Sequence, residues 1–122
     1  LINYNLATKK RNDDKLDAAI SYVKQYMANH LSEPIDVQAL AEEQGMSYTW
    51  LCRMFRKNTG IAPAQYLQQL RIHMSMYLLR NTNAPIKNIA VDSGFKMPEY
   101  FCAVFQESTG ITPKEYRSAN TY

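Results

Sequence analysis

An internal repeat constrains this chain more than any other feature. Leu40-Ala41-x-x-x-Gly45-Met46 lines up with Ile89-Ala90-x-x-x-Gly94-Phe95 at an offset of 49 residues. Further on, Leu51-Cys52-x-x-Phe55-x-x-x-Thr59-Gly60-Ile61-x-Pro63-x-x-Tyr66 lines up with Phe101-Cys102-x-x-Phe105-x-x-x-Thr109-Gly110-Ile111-x-Pro113-x-x-Tyr116, now at 50. One residue is inserted in the second copy's turn, where an extra residue is tolerated while the apolar face beyond stays in phase. The chain must therefore build the same small unit twice.

Spacing says what that unit is made of. Apolar residues recur at Leu16, Ile20, Val23, Met27 and Leu31, one helical stripe whose start Asp13-Asp14 can cap. Pro34-Ile35-Asp36 restarts the chain: Asp36 is a good N-cap, and Ile35 can staple onto Leu40. A short helix from Val37 stops at Gly45, and Ser47 caps a longer one that Gly60 ends, with Leu51, Met54 and Phe55 inward. Short helix, glycine turn and longer helix make the helix-turn-helix outline. Pro63 opens a long helix to about Arg80, with Tyr66, Leu67, Leu70, Met74, Tyr77 and Leu78 repeating at three- and four-residue steps. The pattern then repeats. Four glycines, five prolines and little β-type alternation predict an all-α fold of about seven helices, two helix-turn-helix subdomains joined by a linking helix. The expected division is a linker over 1–13, a first unit over 14–62, the linking helix over 63–82 and a second unit over 83–122.

Composition removes several functions. With 122 residues, 46% apolar and 20% charged, the chain is long enough for its core without disulfides or metal. No apolar run is long enough for a membrane span or the core of a signal peptide, so the chain reads as cytoplasmic. Cys52 and Cys102 have no Cys-x-x-Cys spacing and no nearby His, and His30 and His73 are isolated surface positions, so no metal, cofactor or catalytic group is expected. Residues 1–13 are polar and aperiodic, begin with Leu, and resemble a linker from a longer protein; their Lys9-Lys10-Arg11 cluster reads as solvated. The net charge of +3 is too small to decide a partner. Its distribution says more: residues 1–84 carry ten Lys and Arg against seven acids, and residues 85–122 carry four against four.

The run Ile86-x-x-Ile89-Ala90-x-x-x-Gly94-Phe95-x-x-Pro98-x-Tyr100-Phe101-x-x-x-Phe105-x-x-x-Thr109-Gly110-x-Thr112-Pro113-x-x-Tyr116-Arg117 resembles the signature of AraC/XylS-type transcription regulators. The resemblance covers about residues 14–118, and the family's linking-helix pattern appears as Arg71-x-x-x-Ser75-x-x-Leu78-Leu79, with Ser75 where Ala is common. It implies a bacterial, sequence-specific regulator of transcription, an activator in most members. Each unit would place its second helix in a major groove of double-stranded DNA, RNA polymerase would be a further partner, and an N-terminal effector-binding domain would lie outside this chain. The linking helix, about 27 Å at 1.5 Å per residue, agrees with grooves that recur every 34 Å or so on one side of the duplex.

Opposite the inward positions of the first unit's longer helix lie Thr49, Cys52, Arg53 and Arg56. Arg53 matches the family's recognition-helix arginine, and its planar fork can take guanine O6 and N7 together. Thr49 and Cys52 are further base-reading candidates. Arg56 and Lys57 suit phosphates, and Ser47 and Tyr48, at the helix start, are phosphate candidates too. Trp50 stands where the family has a packing aromatic and is expected in the core more than on DNA.

The second unit's outward stripe is Glu99, Cys102, Ala103 and Gln106, without a guanidinium. Lys96, Glu99, Cys102 and Gln106 remain base-reading candidates: lysine to guanine or phosphate, glutamate to cytosine N4, a small side chain against thymine, glutamine to adenine. This unit either reads bases or mainly supports the first. Met97 is a poor N-cap ahead of Pro98, which leaves that helix start weakly capped or open to phosphate. Thr112 is expected to cap the last helix and to leave amides for phosphate beside Lys114 and Arg117. Phe95, Tyr100, Phe101, Phe105 and Tyr116 fall at core spacing. The rival to a regulator is a helical protein-interaction module that kept the fold and lost specific DNA binding; an enzyme is the weakest reading.

Overall fold

A computed structural model describes the backbone of residues 2–120 and the side chains of residues 15–120. Among the described residues seven helices account for the regular structure: α1 Ile2–Asn29, α2 Val37–Glu43, α3 Tyr48–Thr59, α4 Pro63–Asn81, α5 Ile86–Asp92, α6 Pro98–Thr109 and α7 Pro113–Ala119. No strand occurs among the described residues. The chain divides into two compact units, one built from residues through Asn29 with Asp36–Gln65, the other from His30–Ile35 with the chain from Tyr66 onward.

In the first unit, Ala19, Ile20, Val23 and Met27 of α1 are buried, as are Leu40 and Ala41 of α2 and Leu51 and Phe55 of α3. Asp36 caps α2 by accepting from the Ala39 amide at 3.2 Å, and Ser47 caps α3 by accepting from the Trp50 amide at 3.1 Å. Gly60 ends α3 at φ +87°, in the left-handed region that a side chain resists, and donates its N–H to the Arg56 carbonyl. The Thr59 hydroxyl sits within 2.8 Å of the Phe55 carbonyl and 2.9 Å of the Ile61 carbonyl while accepting from the Ile61 amide. That staple ties the exit of α3 to the turn before α4.

The second unit repeats the device: Gly110 ends α6 at φ +86°, and Thr109 makes the same three bonds to Phe105 and Ile111. Its core joins Ile72 and Leu79 of α4, Ile89 and Ala90 of α5, Phe95 in the turn, and Phe101, Val104 and Phe105 of α6. The rings pack as a chain, Phe95 to Phe101 at 5.2 Å, Phe101 to Phe105 at 5.7 Å and Phe105 to Tyr116 at 5.6 Å between centroids. Two arginines serve this unit's backbone. Arg71 donates Nε to the Leu31 carbonyl and Nη2 to the Glu33 carbonyl; Arg117 donates to the Leu79 and Thr82 carbonyls. Each covers acceptors that helix ends or irregular chain leave unpaired. Burial lowers the Arg71 pKa below its ordinary value.

Three features differ from the sequence reading. The first helix begins at Ile2, not after Asp13-Asp14, so residues 2–13 are helical rather than an aperiodic linker. No glycine or proline interrupts residues 1–33, and helix propensity carries the backbone where apolar spacing is silent. The side chains of the Lys9–Arg11 cluster lie outside the described residues. Second, α4 beyond Gln65 belongs with the second unit rather than standing as a separate linker. Third, α4 buries Leu67, Ile72, Ser75 and Leu79, while Met74 and Tyr77 are exposed. Both faces of α4 carry apolar residues, so spacing alone cannot choose the inner one. Ser75 fits within the core because its hydroxyl donates to the Ile72 carbonyl at 2.6 Å. His30 is half-buried, and His73 is exposed.

Candidate nucleic-acid interface

The buried ridge of α3 is Leu51 and Phe55, and the opposite side of the helix is what remains to meet a partner. Thr49, Arg53, Arg56 and Lys57 are all exposed there. None of the three cations has a hydrogen-bond or ion-pair partner among the described residues. Their charge is free for an outside anion. At 100° per residue Arg53 stands nearly opposite the ridge, and Cys52 lies about 100° from it, on the flank. Cys52 is accordingly half-buried, which sets it back from the centre of the base-reading stripe.

Tyr48 is exposed at the start of α3, four residues before Cys52. A hydrogen bond with the Cys52 side chain, then the electrostatic effect of that same group, raises the Tyr48 pKa above the ordinary phenol value. Its hydroxyl is therefore kept protonated, a donor beside the helix start. Ser47 is exposed, but its Oγ is occupied as the N-cap acceptor, so what it offers a phosphate is its position and its hydroxyl proton.

In α6 the buried ridge is Phe101, Val104 and Phe105, and Glu99, Ala103, Gln106 and Glu107 are exposed, as is Lys96 in the turn before it. Cys102 is half-buried and packs against the core; burial, then the Glu99 charge, pushes its thiol pKa up. It is thus a neutral small group on the flank of the stripe. In the register of the repeat, Arg53, Arg56 and Lys57 face Ala103, Gln106 and Glu107, and a cationic surface becomes a neutral-to-acidic one. Met97 caps α6 with no side-chain hydrogen bond.

Thr112 caps α7, as expected. It forms a complete capping box: its Oγ1 accepts from the Glu115 amide at 3.1 Å and donates to Glu115 Oε1 at 2.9 Å. The Glu115 carboxylate completes the box and puts an acid in the first turn, which suits the positive end of the helix dipole. Lys114 is exposed beside it, while Arg117 is committed to backbone carbonyls.

Two further residues occupy the exposed sides against expectation. Trp50 is 42% exposed and Tyr100 57% exposed, although the family resemblance had set Trp50, and helical spacing Tyr100, in a core. Each stands about 60° from the outermost residue of its helix, Arg53 or Ala103, a position that period-counting of aromatics does not separate from the core edge. No group of three or more His, Cys, Asp or Glu that could hold a metal occurs among the described residues. No helix there is long and apolar enough to cross a membrane.

Known proteins share this arrangement. A helix-turn-helix domain family matches residues 40–119. The HTH-type transcriptional activator RhaR of Cronobacter sakazakii is 38% identical over 91 residues, 75% of this chain and 32% of the relative. The HTH-type transcriptional activator RhaS of Escherichia fergusonii is 29% identical over 105 residues, 86% of this chain and 38% of the relative. The chain thus spans about a third of the length of these relatives. Among solved structures, the C-terminal domain of AraT, a response regulator from Geobacillus stearothermophilus, superposes with a TM-score of 0.81 at 28% identity, covering 85% of this chain and 87% of that one. The DNA-binding domain of AdpA, a global transcriptional factor solved with a target DNA, gives 0.78 at 32% identity, covering 82% and 90%. With two helix-turn-helix units, the repeat signature and these matches in hand, the chain belongs to the AraC/XylS-type helix-turn-helix family.

Proposed function

We propose that this chain is the DNA-binding part of a transcription regulator, an activator like the relatives it matches, acting in the cytoplasm and contacting RNA polymerase from its DNA site. The observation that carries the reading is the face of α3, where Arg53, Arg56 and Lys57 stand exposed, without hydrogen-bond or ion-pair partners among the described residues, around a helix that is seated on its other side. Arg53 reads a guanine through O6 and N7, Arg56 and Lys57 take phosphates, and Thr49 meets a base edge or thymine methyl. Tyr48 and Ser47 approach the backbone at the helix start. In the second unit Glu99 and Gln106 offer cytosine- and adenine-directed groups, Lys96 a cation, and Cys102 an apolar flank. α3 and α6 take successive major grooves of one duplex, and α3 supplies most of the grip. The rest of a regulator of the relatives' length would hold the effector-binding domain.

Selection of binding sites from random duplex DNA by this chain tests the reading. The expected product is a bipartite site, its half-sites about one helical turn apart, with the firmer consensus in one half. The neutral face of α6 is the one observation favouring a protein-interaction module instead. That alternative predicts no enriched sequence and only weak binding blind to sequence.

A further inference from the structure

We infer that Trp50 and Tyr100 are a matched pair of DNA contacts, each ring lying against the sugar-phosphate edge of the major groove that its own helix enters; this rests on the DNA-binding reading above. The two residues hold the same place in the repeat, 50 residues apart, and each is the third residue of its helix. Both are large aromatics left in solvent, at 42% and 57% exposure. An aromatic at the opening turn of a helix-turn-helix recognition helix stands beside the groove edge, because the first residues of that helix enter the groove.

The root of each ring is held by its own unit. Trp50 borders an open depression of about 900 Å³ with Leu16, Ala19, Met46 and Ser47. Tyr100 leans on Phe95, with ring centroids 6.0 Å apart, and Met46 and Phe95 are themselves counterparts in the repeat. The Trp50 indole N–H and the Tyr100 hydroxyl make no hydrogen bond among the described residues, although the Tyr100 hydroxyl lies within electrostatic reach of Arg71. An apolar ring that ends in a single donor matches deoxyribose carbon beside a phosphate oxygen.

Charge identifies the occupant. On the helical wheel Lys57 falls between Trp50 and Arg53, with Arg56 beyond, so the indole belongs to a cationic surface suited to a polyanion rather than to an apolar protein face. In α6 the matching cations are replaced by Gln106 and Glu107, and Tyr100 becomes the main backbone contact of that helix.

Trp50 is the only tryptophan in the chain, so its emission reports on itself alone. The probe is a duplex of roughly 25 base pairs, two helical turns with flanks, recovered by the random-pool selection and end-labelled so that anisotropy follows binding independently. Saturation with this duplex is expected to shift Trp50 emission and to remove most of its acrylamide quenching. Tyr100→Ala is expected to weaken binding about ten-fold with unchanged helical circular dichroism, and Tyr100→Phe to fall between Tyr100→Ala and the unsubstituted chain. Because the Trp50 readout uses the unsubstituted chain, it does not depend on any variant folding. Binding by anisotropy with unaltered Trp50 emission and quenching, or with Tyr100→Ala at full affinity, would overturn the pairing and leave the DNA-binding reading standing. Failure of every selected duplex to bind would overturn both.

Discussion

Arg53 and Gly94 show how differently single residues act in this chain. Arg53 is exposed and has no hydrogen-bond or ion-pair partner among the described residues, so Arg53→Ala should leave the unfolding curve in place. It should cost about 1–3 kcal/mol on the selected duplex and relax preference at one base position. Equal affinity and an unchanged consensus in a repeated selection would remove Arg53 from the reading role. Gly94 acts only inside. It sits at φ +95°, and a Cβ there would meet the Leu31 carbonyl and the Arg71 side chain. Gly110, at φ +86°, has open space around the same position. Gly110→Ala should therefore cost about 1–2 kcal/mol for its backbone conformation, and Gly94→Ala about 1–3 kcal/mol more for the crowding. Urea denaturation of the two variants checks the difference; equal midpoints would show that the Arg71 contact yields freely.

At the scale of elements, boundaries and faces were not equally legible. Helix stops and starts are written in residues that act locally: Gly60 and Gly110 end their helices, Ser47 and Asp36 cap theirs, and Pro63, Pro98 and Pro113 stand at first helical positions. These were readable because each acts through its own φ angle or a hydrogen bond three residues away. Which face turns inward is settled by distant residues. Met74 and Tyr77 of α4 look like core by spacing, yet Ile72 and Leu79 were taken inside because they meet the second unit's phenylalanine cluster. The start of α6 lacks a side-chain cap. Met97 is 60% exposed, has extended backbone, and gives no side-chain bond to the helix start. Met97→Ser should add an acceptor at little cost in packing and raise stability by about 0.5–1 kcal/mol, read as a higher urea midpoint. A lower midpoint would mean that the methionine side chain is packed more firmly than its exposure implies.

For the whole molecule, the repeat makes two units of one design and the charge separates them. Lys and Arg exceed acids by three in residues 1–84 and balance them in residues 85–122, and the exposed faces of α3 and α6 follow that division. Removing the phosphate cations of α3 with Arg56→Ala and Lys57→Ala together should reduce the slope of log K against log salt by up to about two. The corresponding pair in α6, Gln106→Ala and Glu107→Ala, should not flatten it, since no cation is lost. A larger loss of affinity from the α6 pair than from the α3 pair would reverse the assignment of the grip.

The sequence by itself determined the helix count, the duplicated helix-turn-helix plan, the ends of most helices and the cationic stripe around Arg53, because these depend on local backbone preferences and a period of 3.6. Only the tertiary structure decided that Trp50 and Tyr100 stand in solvent and that Cys102 leans on the core. Those outcomes turn on which surfaces find each other across long stretches of chain. Helical period shows that a residue lies near the edge of a core; the volume and position of the packing partners decide on which side of that edge it falls.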